Sequence, residues 1–207
     1  MTNPTDRLYD AFPLQTYRPN PQTVIKVSTL LKSIIAHESF FTDYTKACSN
    51  ACGDCPQCLR TKWLVSAKLN DLNSLNWEVW SKDPETGLHL DFVGILRLSN
   101  VSPGCDATAH YFFFDGKLRD KTTLLESWAD WAFTDKPNWK GLKRVTIEIP
   151  SHAFALARHA TKHLKFGGPF EYRHNNTTIP VEGIRQQAVL WRENWHDLLI
   201  LGRLNNG

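Results

Sequence analysis

The stretch from Ala107 to Tyr172 constrains this chain more than any other, because its periodicity switches from strand to helix and back twice. Ala109-His-Tyr-Phe-Phe-Phe114 is too short for a helix and rich in aromatics, which reads as a buried strand closed by an Asp115-Gly116 turn. From Thr122 to Phe133, Leu124, Leu125, Trp128, Trp131 and Ala132 recur at helical spacing. Lys143-Arg-Val-Thr-Ile-Glu-Ile149 alternates as a half-buried strand does. Pro150-Ser151 opens a second helix over 152–165, with Ala153, Leu156, Ala157, Ala160 and Leu164 as its stripe and Gly167-Gly168 as its stop. Phe170-Glu-Tyr-Arg173 returns to strand.

Upstream, Trp77-Glu-Val-Trp80 is a short strand, Asp83 to Gly87 a turn, and Leu88 to Leu98 a long strand, with a loop expected from Ser99 to Asp106. Downstream, the Asn175-Asn176 turn and Ala188-Val-Leu-Trp191 suggest a final hairpin, and Leu198 to Leu204 is apolar enough to pack. Residues 1–22 hold four prolines (Pro4, Pro13, Pro19, Pro21) and read as an extended arm, draped over a partner or over the domain itself. Val24, Val27, Leu30, Leu31, Ile34, Ile35, Phe40 and Phe41 fit an amphipathic helix ending near Tyr44, and Leu59 to Asn70 fits another. The organisation expected is an arm at 1–22, a helical, cysteine-bearing region at 23–74, and an α/β domain at 75–207.

Bulk properties exclude several classes. An apolar content of 42% over 207 residues supports a real core. A net charge of +3 is well short of a dedicated nucleic-acid binder, so nucleic acid is permitted as a partner without being argued for. No apolar run approaches the roughly 18 residues of a membrane helix, and Met1 to Asp10 lacks the hydrophobic segment of a signal peptide. The expectation is a cytoplasmic protein with no membrane partner, or one acting in a cytoplasm-assembled particle.

Taken in order, the strands and helices from Trp77 to Trp195 resemble the GNAT acetyltransferase fold, a mixed, centrally splayed sheet flanked by helices. Family members read as a strand, a polar residue opening a helix, a run ending Leu-Gly-Phe, then a strand with Arg. Here Lys143 to Ile149 is followed by His163-Leu-Lys-Phe-Gly-Gly-Pro-Phe-Glu-Tyr-Arg173. The resemblance implies transfer of an acyl group from acetyl-CoA or another acyl-CoA to an amine acceptor. In the family, a Gln/Arg-x-x-Gly-x-Gly/Ala loop cradles the donor's pyrophosphate at a helix N-terminus. The matching residues here are Lys117-Leu-Arg-Asp-Lys-Thr122. Asp120 and Thr122 stand where glycines would, and Lys117, Arg119 and Lys121 offer direct charge in their place.

Many members use a tyrosine a few residues before Leu-Gly-Phe as general acid. That position falls near Thr161, with His163 close by as the substitute. His110, Glu148 and Asp91 are the candidate bases on the central strands, set against the more ordinary readings of His110 as a satisfied core histidine and of Glu148 and Asp91 as solvated strand residues. Two further readings stay open: a non-catalytic binding or assembly module, for instance in a phage particle, and a GNAT-like enzyme that modifies nucleobases.

Cys48-x3-Cys52-x2-Cys55-x2-Cys58 gathers four of the five cysteines. Thiolates in Cys-x2-Cys turns can converge on one metal, and the consecutive spacing suits a zinc ion or an iron–sulfur cluster that staples the N-terminal helices, with free thiols and then disulfides as the alternatives. The spacing also resembles the radical-SAM signature, but Asp54 stands where an aromatic is usual and no succession of strand–helix units follows. His152, His159 and His163 share a helix with Arg158, Lys162 and Lys165, which reads as a solvated basic face able to touch phosphate.

Overall fold

A computed structural model describes residues 8–13, 55, 56, 59, 71–113, 121–191 and 194–205. In chain order these form β1 (Tyr9–Pro13), β2 (Leu75–Lys82), β3 (His89–Ser102), β4 (Asp106–Phe113), α1 (Lys121–Phe133), β5 (Arg144–Pro150), a 3-10 turn (Ser151–Ala153), α2 (Phe154–Leu164), β6 (Phe170–His174), β7 (Thr177–Val181), β8 (Gly183–Trp191) and β9 (Asn194–Leu204). Seven strands make one sheet in the order β1-β2-β3-β4-β5-β9-β8, and β6 and β7 make a separate hairpin. Every pairing is antiparallel except β4 with β5, which the crossover through α1 makes parallel. This is the mixed α/β architecture expected of the chain, and the strand–helix block from Ala107 to Tyr172 forms its centre.

Three expectations need adjusting. The loop assigned to residues 99–106 is mostly strand: β3 runs on to Ser102, and the connection shrinks to a turn in which Gly104 has φ +76° and Cys105 N donates to Ser102 O at 2.9 Å. Polar residues hide this extension from a hydrophobic pattern. Ser99 pairs with Thr108 through the backbone ladder, not through apolar burial. The downstream hairpin is two hairpins, β6–β7 turning at Asn175 (φ +53°) and β8–β9. Within the proline-rich arm, Tyr9–Pro13 is an edge strand against β2, with Tyr9 and Ala11 buried. The helix expected over 24–44, most of the one over 59–70, and Cys48, Cys52 and Cys58 lie outside the described residues. Cys55 is described and half-buried.

One face of the sheet carries the core. Trp77, Val79, Leu96, Leu98, Ala109, Val145, Ile147, Leu199 and Leu201 pack beneath Leu124, Leu125, Trp128 and Ala132 of α1 and Ala157, Ala160 and Leu164 of α2. Two fully buried alanines at i and i+3 let α2 sit close to the sheet. Three tryptophans pack edge-to-face or stacked around the lower end of α1: Trp77 against Trp131 at 5.0 Å and Trp131 against Trp139 at 5.3 Å. The indole of Trp139 donates to the Ala132 carbonyl at 3.1 Å, which closes the helix end. Past α2, Gly168 runs against β7, where a Cβ would overlap the backbone of Val181 and Glu182. Among the described residues no helix is long and apolar enough to cross a membrane.

Candidate functional site

The parallel register of β4 and β5 runs from Asp106↔Arg144 to Ala109↔Ile147 and stops there. Both strands continue, β4 to Phe113 against β3 and β5 to Pro150 against β9. Their upper ends therefore part as a wedge, with backbone groups that no neighbouring strand satisfies across the gap. Side chains alternate along each strand, so the wedge has two sides. Tyr111 and Ile149 share the helix-covered face with Ala109 and Ile147. His110 and Glu148 share the other face.

On the helix side, α1 begins at Lys121 with no acidic residue in its first turn. The Lys121 ammonium lies 5.2 Å from the centre of the Phe113 ring, and burial lowers its pKa. Thr122 Oγ1 shares a 3.0 Å hydrogen bond with His159 Nε2 of α2, which fixes one helix against the other. Burial, then the charges of His163 and Lys121, lower the pKa of His159. The His159 and His163 rings are 5.0 Å apart. Lys117, Arg119 and Asp120 lie outside the described residues, so Lys121 and Thr122 are the members of the expected phosphate loop that can be placed.

On the far side, His110 shares a 2.9 Å hydrogen bond with Ser99 Oγ, whose own carbon frame is buried. Its cross-strand neighbour Arg97 donates to Asp71 at 3.2 Å and to Asn76 at 3.4 Å. Glu148 pairs with Arg185 at 3.3 Å. Asp91 is exposed on β3, where its backbone N–H donates to Ser81 Oγ. The sheet thus brings His110 and Glu148 to one side of the wedge and leaves His163 on the other, in the last turn of α2. Thr161 donates its hydroxyl to the Arg158 carbonyl at 3.0 Å, inside its own helix.

Two features were not anticipated. Tyr111 has a buried hydroxyl with no hydrogen-bond partner among the described residues, and burial raises its pKa. It lines a small internal cavity with Leu125 and Trp128, whose indole N–H is likewise unpartnered. Its only signal in the sequence is a polar atom inside an aromatic strand. The second is Lys165, which caps α2 in the left-handed region at φ +59°, with its N–H donating to Ala160 O. Leu164-Lys165-Phe166 therefore ends the helix as Leu-Gly-Phe would, with a lysine at the position where glycine is least strained. Among the described residues, no group of three or more His, Cys, Asp or Glu is placed to hold a metal ion.

No family model matches this sequence, and no curated protein matches it significantly. Solved structures do. A probable GNAT-family acetyltransferase from Chromobacterium violaceum ATCC 12472 superposes with a TM-score of 0.63 at 15% identity, covering 98% of this chain and 86% of that one. RimL, the ribosomal L7/L12 α-N-protein acetyltransferase in complex with coenzyme A, superposes with a TM-score of 0.60 at 12% identity, covering 97% and 96%. The spermidine N-acetyltransferase of Vibrio cholerae, a dodecamer, gives 0.57 at 12% identity, covering 96% and 95%. At such identities the likeness establishes the fold: the architecture is GNAT-like.

Proposed function

We propose that this chain, built on the GNAT-like fold, transfers an acyl group from an acyl-CoA to an amine acceptor. The observation that carries the reading is the parting of β4 and β5 beyond Ala109 and Ile147, directly beside the N-terminus of α1. An extended donor can pair with the strand edges exposed there while its phosphates meet the helix start. The residues present suit that group: the first turn of α1 has no carboxylate, and it opens with a lysine and a threonine. Lys117 and Arg119 would add positive charge to the same loop, against the one carboxylate there, Asp120. When bound, acyl-CoA supplies a thioester carbonyl open to attack.

The chain's own groups then divide by side. Lys121 and Thr122 hold phosphate on the helix side. His110, oriented by Ser99, accepts the proton of the attacking amine from the far side. Glu148 is the second candidate base, with Arg185 drawing it toward a structural role. His163 adjoins His159 on the donor side, where it serves the departing group or the phosphates. The acceptor's identity is not written in these residues. Neighbours of the same fold are named for a protein N-terminus and for spermidine.

A non-catalytic binding module is the second reading, favoured by Thr161, whose hydroxyl is engaged within its helix where many relatives have an acidic tyrosine. Titration calorimetry with acetyl-CoA and CoA is the first test. The expected result is a Kd on the order of 1–100 μM. No heat and no thermal shift would reject the acyltransferase. Binding without turnover on a panel of peptide and polyamine acceptors would select the binding module. His110→Ala should lower kcat on the order of 100-fold or more with donor binding unchanged.

A further inference from the structure

The end of the sheet opposite the wedge carries a second concavity that acyl transfer does not use. Arg203 and Leu204 of β9 pair with Val145 and Arg144 at the start of β5, whereas the strands part beyond Ile147. An open cavity of about 370 Å³ lies there. It is lined by Asp130 and Phe133 of α1, Lys165 at the end of α2, and Arg203, Leu204 and Asn205 at the end of β9, among others. Lys165 holds the left-handed conformation at φ +59°, where a side chain costs free energy and glycine does not. Ending the helix asks only for a glycine. Backbone strain of this kind clusters at binding sites, and the strained lysine makes no ion pair among the described residues.

The other polar groups of the wall are half used. Arg203 gives one nitrogen to Asp130 Oδ1 at 2.7 Å, which leaves its other N–H groups and the second Asp130 oxygen for a ligand. Asn205 donates Nδ2 to the carbonyls of Phe133 at 3.2 Å and Leu142 at 3.4 Å, so its Oδ1 remains an acceptor. Two cations, two unused acceptors and the apolar surface of Phe133 and Leu204 match the two charged ends and the body of one small molecule. We infer that this cavity binds a free α-amino acid with an apolar side chain. Its carboxylate lies on Lys165 and Arg203, its ammonium on Asp130 and Asn205, and its side chain against Phe133 and Leu204. The volume falls within the range of small-ligand sites. A phosphate or a simple carboxylate would leave Asp130 and Asn205 facing an anion with nothing to donate to them.

The test uses the whole chain with L-leucine, leucinamide, isocaproate and inorganic phosphate as probes, read by thermal shift and titration calorimetry. L-Leucine should bind, with leucinamide and isocaproate each about tenfold weaker or more, because each lacks one of the two charges. Lys165→Gly should raise Tm, since it relieves the strained backbone, and should weaken leucine about tenfold or more. A gain in stability together with a loss of binding is a signature that a merely structural lysine would not give. Asp130→Asn should weaken leucine while isocaproate holds or strengthens. No binding of leucine, or equal binding by wild type and Lys165→Gly, overturns the inference. Isocaproate or phosphate binding as tightly as leucine overturns it in favour of a plain anion site. Competition between CoA and leucine would place leucine in the wedge and overturns it too. Each of these outcomes leaves acyl transfer standing.

Discussion

The two ends of the helical layer treat positive charge in opposite ways. Around the C-terminus of α1, several cations are paired: Arg203 reaches Asp130 at 2.7 Å and lies over the Phe133 ring, Arg144 pairs with Glu182, and Lys140 pairs with Asp135 at 2.8 Å. Lys136 donates to the Thr134 carbonyl and covers the Trp131 ring at 4.3 Å. Along α2, Arg158 and Lys162 meet no carboxylate among the described residues, and at the start of α1 Lys121 lies over the Phe113 ring with no carboxylate described beside it. The same side-chain chemistry holds strand and helix ends together in one place and is left available in the other.

The comparison can be broken most forcefully at Gly168. Replacing it with alanine drives a Cβ into the β7 backbone and should lower stability by about 3 kcal/mol, read from urea unfolding. If the unfolding midpoint barely moves, the close approach at the paired end is looser than described. Tyr111→Phe should act in the other direction, since it deletes a buried hydroxyl that has no partner. A gain of about 1 kcal/mol is expected. A loss of stability would mean that a water bridges Tyr111 and Trp128. Arg203→Gln should cost about 0.5–1 kcal/mol and leave CoA affinity unchanged. Loss of CoA binding in that variant would erase the distinction between the two ends.

The smallest effect is in pH. In the unfolded chain histidine titrates near 6.5, and in the fold the pKa of His159 is lowered by burial and by the charges of His163 and Lys121. Below about pH 6.5 the unfolded chain therefore binds more protons, and stability falls as pH falls through that window. The groups facing His159 are Lys121 and Thr122 from α1 and His163 from its own helix, with no carboxylate among them. A bound phosphate reverses the sign, so CoA should protect most at the acid end. Thermal scans from pH 7.5 to 5.5, with and without CoA and in His159→Gln, check this. An identical slope in the variant would remove His159 as its source.

What could be read from the sequence was whatever local periodicity encodes. The α1 stripe at Leu124, Leu125 and Trp128 and the alternation of β5 placed the centre of the fold correctly, because burial on one face leaves a regular mark on neighbouring residues. Contacts between residues distant in sequence leave no such mark. The end of β4–β5 pairing at Ala109 depends on strand register, and the Thr122–His159 bond joins residues 37 apart. The resemblance offers His110 as a base and His163 as an acid, and which side of the sheet each occupies follows only from strand alternation and the placement of α2. Tyr111 was concealed among phenylalanines, and its unpartnered hydroxyl becomes visible only when α1 is laid over β4.

The wedge has a consequence for the exchange of backbone protons with solvent. Among the described residues, β4 above Ala109 pairs on the β3 side alone, and β5 above Ile147 on the β9 side alone. Successive amides in a strand point to opposite neighbours. Deuterium should therefore enter residues 110–113 and 148–149 at every second position, beside amides that resist it. A ligand lying between the strands would slow the fast set and leave the slow set as it was.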